Sequence, residues 1–93
     1  MPLRRTNYKK GLIYSITTHD KQFIGCTTNF SSCKYNHKEI IFLTERPSKL
    51  YNTIRENDYE WEMERLYNFP CNNKLELEQE LHSAIQRLNP ELN

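Results

Sequence analysis

Valine is absent from this chain of 93 residues, alanine occurs once (Ala84), glycine twice and proline four times. With so little Gly and Pro, and with no repeat or low-complexity tract, nothing in it reads as a flexible internal linker. The length provides for one core only. Apolar residues amount to 37%, a low share, but six Tyr, four Phe and one Trp offer large side chains for a compact interior. No run of about 18 apolar residues exists, so no membrane partner is expected. The basic stretch Met1–Lys10 is not followed by an apolar segment long enough for a signal peptide. Cys26, Cys33 and Cys71 are odd in number and irregularly spaced, which argues against a disulfide framework and for a reducing, intracellular setting.

The formal net charge of +1 hides a strong asymmetry. Residues 1–38 carry seven Lys/Arg and one acidic residue, whereas residues 39–93 carry six Lys/Arg and eleven acidic residues. A polyanion would therefore meet the first half, and Arg4, Arg5, Lys9, Lys10, Lys34 and Lys38 are the candidate nucleic-acid contacts. A basic tail followed by ordinary solvated helices would give the same counts.

Residues 1–10 read as a frayed basic tail, and residues 11–93 as a single domain. Leu12, Tyr14 and Ile16 alternate with Ile13 and Ser15, the period of a strand, and Gln22–Cys26 can return as its antiparallel partner across a polar turn. Asn29 is placed to cap a helix whose face carries Phe30, Cys33, His37 and Ile40. Ile40–Leu43 is a run that periodicity cannot assign. Pro47 and Ser48 can start a second helix with Leu50, Tyr51 and Ile54 inward. From Glu60 to Tyr67 the pattern alternates again, placing Trp61, Met63, Arg65 and Tyr67 on one face. After a loop around Pro70, a last helix over Lys74–Leu88 aligns Leu77, Leu81, Ala84, Ile85 and Leu88. The expected fold is α+β, a small three-stranded antiparallel sheet flanked by helices.

Gly11-Leu12-Ile13-Tyr14, then Phe23-Ile24-Gly25, then Asn29 with His37 eight positions on, resembles the pattern of the GIY-YIG nuclease superfamily. Lys49-Leu50-Tyr51, Ile54–Asn57, Trp61-Glu62-Met63, Phe69-Pro70-Cys71 and the ending Leu88–Asn93 are similar to its small stand-alone members encoded by large DNA viruses. The resemblance implies metal-assisted hydrolysis of a DNA phosphodiester. In that chemistry a tyrosine serves as general base, an arginine on the first helix neutralises phosphate charge, and a glutamate on the last helix holds a divalent cation, commonly Mg²⁺.

Position by position, Tyr14 matches the first tyrosine, Gly25 the glycine of the second strand, His37 the helix histidine and Asn93 the terminal asparagine. Phe23 stands where a second tyrosine belongs. Cys33 occupies the arginine slot and Leu81 the glutamate slot, so both charged groups of the reaction are missing. Losing one electrostatic stabiliser of a transition state costs about 10²- to 10³-fold in rate, and losing the metal ligand removes the Lewis acid as well. The resemblance therefore implies a degenerate member that binds nucleic acid or a protein without cleaving, its vestigial site being Tyr14, Phe23, Gly25, Cys33, His37, Leu81 and Asn93. The alternative is an active enzyme in which a one-residue shift makes Glu80 the Mg²⁺ ligand and Lys34 replaces the arginine. A third reading makes the acidic second half a surface for a protein partner. Cys33 and His37, one helical turn apart, also suit zinc, but no C-x₂-C pair accompanies them.

Overall fold

Three helices begin at side chains that satisfy their own first turns. In the computed structural model, which describes residues 7–44 and 48–93, Asn29, Ser48 and Asn73 each accept a hydrogen bond from the backbone N–H three residues on, at 3.0, 3.0 and 2.9 Å. The helices are α1 (Phe30–Leu43), α2 (Lys49–Glu56) and α3 (Lys74–Leu88). Ile40–Leu43 thus completes α1 rather than forming a separate element. Pro47 lies outside the described residues, as do Arg4 and Arg5.

The strands are β1 (Leu12–Thr18), β2 (Lys21–Thr27) and β3 (Glu62–Asn68), antiparallel in the order β2-β1-β3. The β1–β2 turn is two residues long, His19 and Asp20, with φ of 51° and 63°, the twist that suits a tight hairpin. Alternation along β1 sends Leu12, Tyr14 and Ile16 to a core shared with Ile41, Leu50, Tyr51, Ile54 and Met63, while Ile13 joins Ile24, Cys71, Leu77 and Ala84. The sheet consequently has α1 and α2 on one face and α3 on the other. The expected α+β architecture is the observed one.

Two local readings change. The register of β3 slips between Ile13 and Tyr14, with Ile13 opposite Tyr67 and Tyr14 opposite Arg65, so Leu66 is an extra residue. This bulge keeps Met63 and Arg65 on the α1 face but turns Tyr67 to the α3 face, against the simple alternation. The described part of the basic tail is also docked rather than frayed. Tyr8–Lys10 form one 3-10 turn, and the Tyr8 carbonyl accepts from the backbone N–H of Gly11 (3.1 Å) and of Cys71 (2.9 Å). A side chain at Gly11 would press on the Phe69 carbonyl at 2.7 Å, which explains a glycine there.

Ser15 is 1% exposed on the α3 side of β1, and its hydroxyl has no hydrogen-bond partner among the described residues. An unpaired buried hydroxyl costs about 1–3 kcal/mol. Ser15→Ala should therefore raise the unfolding free energy by about 1 kcal/mol, measured by urea denaturation.

Candidate functional site

Tyr14 belongs to an aromatic cluster between the sheet and the first two helices, with His37 in contact with Tyr14, Phe23 and Tyr51. The Tyr14 ring lies across Gly25, the residue opposite it on β2, because a Cβ at position 25 would fall well inside contact distance of the Tyr14 hydroxyl and ring. The hydroxyl reaches α1, where it is 2.9 Å from His37 Nε2. The other ring nitrogen, Nδ1, is 2.9 Å from the hydroxyl of Tyr51 on α2. A neutral imidazole donates at one nitrogen and accepts at the other, so Tyr14, His37 and Tyr51 form a chain with each link satisfied. Phe23 closes one side, its ring centroid 6.4 Å from those of both Tyr14 and His37. Cys33 lies one helical turn before His37 and packs against the same core as Tyr14.

The electrostatics follow from enclosure. Tyr14 is 4% exposed, and burial, followed by the Cys33 hydrogen bond, holds its phenol far above the ordinary tyrosine range. A tyrosine acting as general base needs the opposite environment. Burial also pushes the His37 imidazole below its usual value, favouring the neutral ring between two tyrosines. The sign of the pH effect is then fixed. An unfolded His37 takes up a proton below pH of about 6.5 whereas the folded one resists it, so stability is full above that pH and declines as pH falls through the lower folded value. Urea midpoints should be level between pH 7 and 8 and fall on acidification to pH 5, less steeply in His37→Gln.

Of the seven residues in the sequence-derived site, the structure gathers Tyr14, Phe23, Gly25, Cys33 and His37. Asn93 sits beside them in a backbone role: its side-chain amide donates to the Ile24 carbonyl and accepts from the Ile24 N–H, both at 2.7 Å. Together with Leu92 N–H to Gln22 carbonyl at 3.0 Å and Gln22 N–H to the Glu91 carboxylate at 2.9 Å, it closes the outer edge of β2. Leu81 is apart from the others, packed in the α3 core with Ile13 and Ile24.

Glu80 is not brought to Tyr14 and His37 either. Its carboxylate accepts a short hydrogen bond from Tyr67 on the α3 side of the sheet and pairs with Arg87 at 3.3 Å. The residues present therefore do not suit a Mg²⁺ ion beside Tyr14, and no step through such an ion is derived. Both nitrogens of His37 are engaged by tyrosines, which likewise leaves Cys33 without a zinc-binding partner on that helix. Among the described residues no three His, Cys, Asp or Glu side chains converge to hold a metal ion.

The candidate nucleic-acid contacts are also divided. Lys34 and Lys38 are exposed on α1, whereas Lys9 and Lys10 line an open groove at the end of the sheet. Tyr51, read from the sequence as a packing residue, is the missing member of the hydrogen-bonded chain. Arg65, read as one residue of an alternating strand, enters the groove. In sequence they are 14 residues from His37 and more than 50 from Lys10, so only the fold reveals either pairing. The chain matches no family model, and no curated protein or solved structure is significantly similar to it.

Proposed function

We propose that this protein is a degenerate GIY-YIG-like module that binds nucleic acid and does not hydrolyse it. The observation that carries this reading is the composition of the space around the Tyr14 hydroxyl: a neutral His37, a thiol and the Phe23 ring surround it where the reaction would need a guanidinium and a carboxylate. Leu81 faces the opposite core, and Glu80 is committed to Tyr67 and Arg87. Tyr14 and His37 then serve the fold, tying β1 to α1 and α2. The basic groove at the end of the sheet supports the binding half of the proposal, since Lys and Arg on one surface attract phosphates without requiring chemistry.

Fluorescence anisotropy with a labelled DNA strand tests it. Binding should weaken steeply with added salt, with a log–log slope of about −2 for three phosphate contacts on a single strand, and the probe should be recovered intact after incubation with Mg²⁺. A salt-independent interaction, or no binding at low salt, would favour a protein partner for the acidic half instead.

A further inference from the structure

At the end of the sheet where β1 begins and β3 finishes, an open groove of about 490 Å³ is lined by Lys9, Lys10, Asn29, Arg65 and Asn68, among others, and among the described residues by no carboxylate. Its cations Lys9, Lys10 and Arg65 come from two distant parts of the chain. Lys9 and Lys10 are held by the 3-10 turn, and Lys9 Nζ is steadied by Asn72 Oδ1 at 2.6 Å. Arg65 is exposed yet positioned, with its guanidinium 5.8 Å from the centroid of the Phe30 ring at the start of α1. The bulge at Leu66 separates it from Tyr67, so that Arg65 alone of that pair is presented on the α1 side. Neither Lys10 nor Arg65 forms an ion pair among the described residues. The first turn of α1 adds no acidic residue to the wall.

We infer that this groove is a phosphate-ester site, and that it takes one nucleotide unit of a single strand with the backbone phosphate between Lys10 and Arg65. The inference rests on the nucleic-acid reading above and gives it a location and a ligand chemistry. Uncompensated cations in a concave wall call for an anion, and the fork of Arg65 suits the paired oxygens of a phosphate. The volume lies within the range of about 300–1,000 Å³ found for small-ligand sites and exceeds what a bare phosphate fills. Asn29 and Asn68 on the rim supply polar groups for a sugar or base. Arg65 belongs to the acidic half of the sequence, so a charge count by halves assigns it to the wrong surface; the sheet register brings it to the basic one.

Two titrations of the full chain followed by amide NMR, one with inorganic phosphate and one with a short single-stranded oligonucleotide, test the site. They are paired with anisotropy on Lys10→Gln/Arg65→Gln and on Lys34→Gln/Lys38→Gln. Both ligands should shift the amides of residues 9–11, 28–31 and 65–68. The groove variant should lose about tenfold or more in oligonucleotide affinity and flatten the salt slope by about 0.7, one phosphate contact on a single strand, while the α1 variant stays within about twofold. Since all four residues are exposed, unchanged spectra outside the groove would show that the variants fold. If instead the α1 variant carries the loss and the groove variant binds normally, the groove is wrong and the nucleic-acid reading survives. Phosphate shifts at the groove with no oligonucleotide binding would uphold an anion site and overturn the strand as its occupant, and with it the reading it rests on. Failure of both titrations would overturn both.

Discussion

Gly25→Ala is expected to lower the unfolding free energy by about 3 kcal/mol or more, a combination of overpacking and loss of a buried hydrogen bond. Position 25 is buried on β2 opposite Tyr14, and the added methyl would meet the hydroxyl, Cζ and Cε2 of that ring together. A long flexible side chain could move aside, but this one cannot easily do so. Its far end is held by His37, which is held in turn by Tyr51, and Phe23 blocks one flank. Any displacement that relieves the clash leaves the Tyr14 hydroxyl and one imidazole nitrogen without partners in a buried setting. Chemical denaturation gives the magnitude, and a double-mutant cycle with Tyr14→Ile identifies the cause. Once the ring is removed, the penalty at position 25 should shrink by more than half; a penalty that persists would place the strain in the β2 backbone instead.

The second large effect is expected from Leu92→Ala combined with Asn93→Ala. Leu92 is 3% exposed in the same core as Tyr14 and Tyr51, and Leu→Ala at such sites costs about 2–5 kcal/mol. Asn93 contributes two hydrogen bonds to Ile24, each worth about 1 kcal/mol net. Beyond destabilisation, the change uncovers the outer edge of β2, whose unpaired N–H and C=O groups can then pair with another chain. Sedimentation velocity should therefore show concentration-dependent self-association in this variant. Glu91→Gln, which keeps Leu92 and Asn93, should leave the protein no more self-associated than the parent. A variant that loses stability but gains no association would mean that β2 is protected by other means.

Much of the fold is legible in the sequence because its signals are local. Asn29 and Ser48 announce helix starts, Leu12–Ile16 alternates, and the stripe of Leu77, Leu81, Ala84 and Ile85 recurs at helical spacing. What could not be read is non-local or breaks a pattern. Glu60–Glu64 alternates, and Leu66 then stands apolar on the face of Glu60, Glu62 and Glu64; that break does not by itself say which residue is extra, which only pairing with Ile13 and Tyr14 does. That one extra residue decides that Tyr67 binds Glu80 behind the sheet while Arg65 lies in front of it.

The site shows the same division. Tyr14, Gly25, Cys33 and His37 stand out in sequence by order and spacing, and the strand register together with the turn of α1 brings them together. Tyr51 is a buried member of an apolar stripe by every local criterion, yet its hydroxyl completes the chain from Tyr14. Whether Leu81 or Glu80 falls in the glutamate slot depends on a count of residues along the chain. Counting says nothing about which side of the sheet α3 covers, and it covers the side away from Tyr14.

On the reading proposed above, the surroundings of Tyr14 hold a structure together and do not run a reaction. Supercoiled plasmid incubated with the purified chain in Mg²⁺ or Mn²⁺ tests it most directly, with Tyr14→Phe and Glu80→Gln alongside. No metal-dependent conversion to nicked circle is expected from any of the three proteins, with Tyr14→Phe less stable than the parent through loss of the His37 hydrogen bond. Nicking by the parent that requires the metal and disappears in Tyr14→Phe would contradict it, and loss in Glu80→Gln as well would restore Glu80 as the metal ligand.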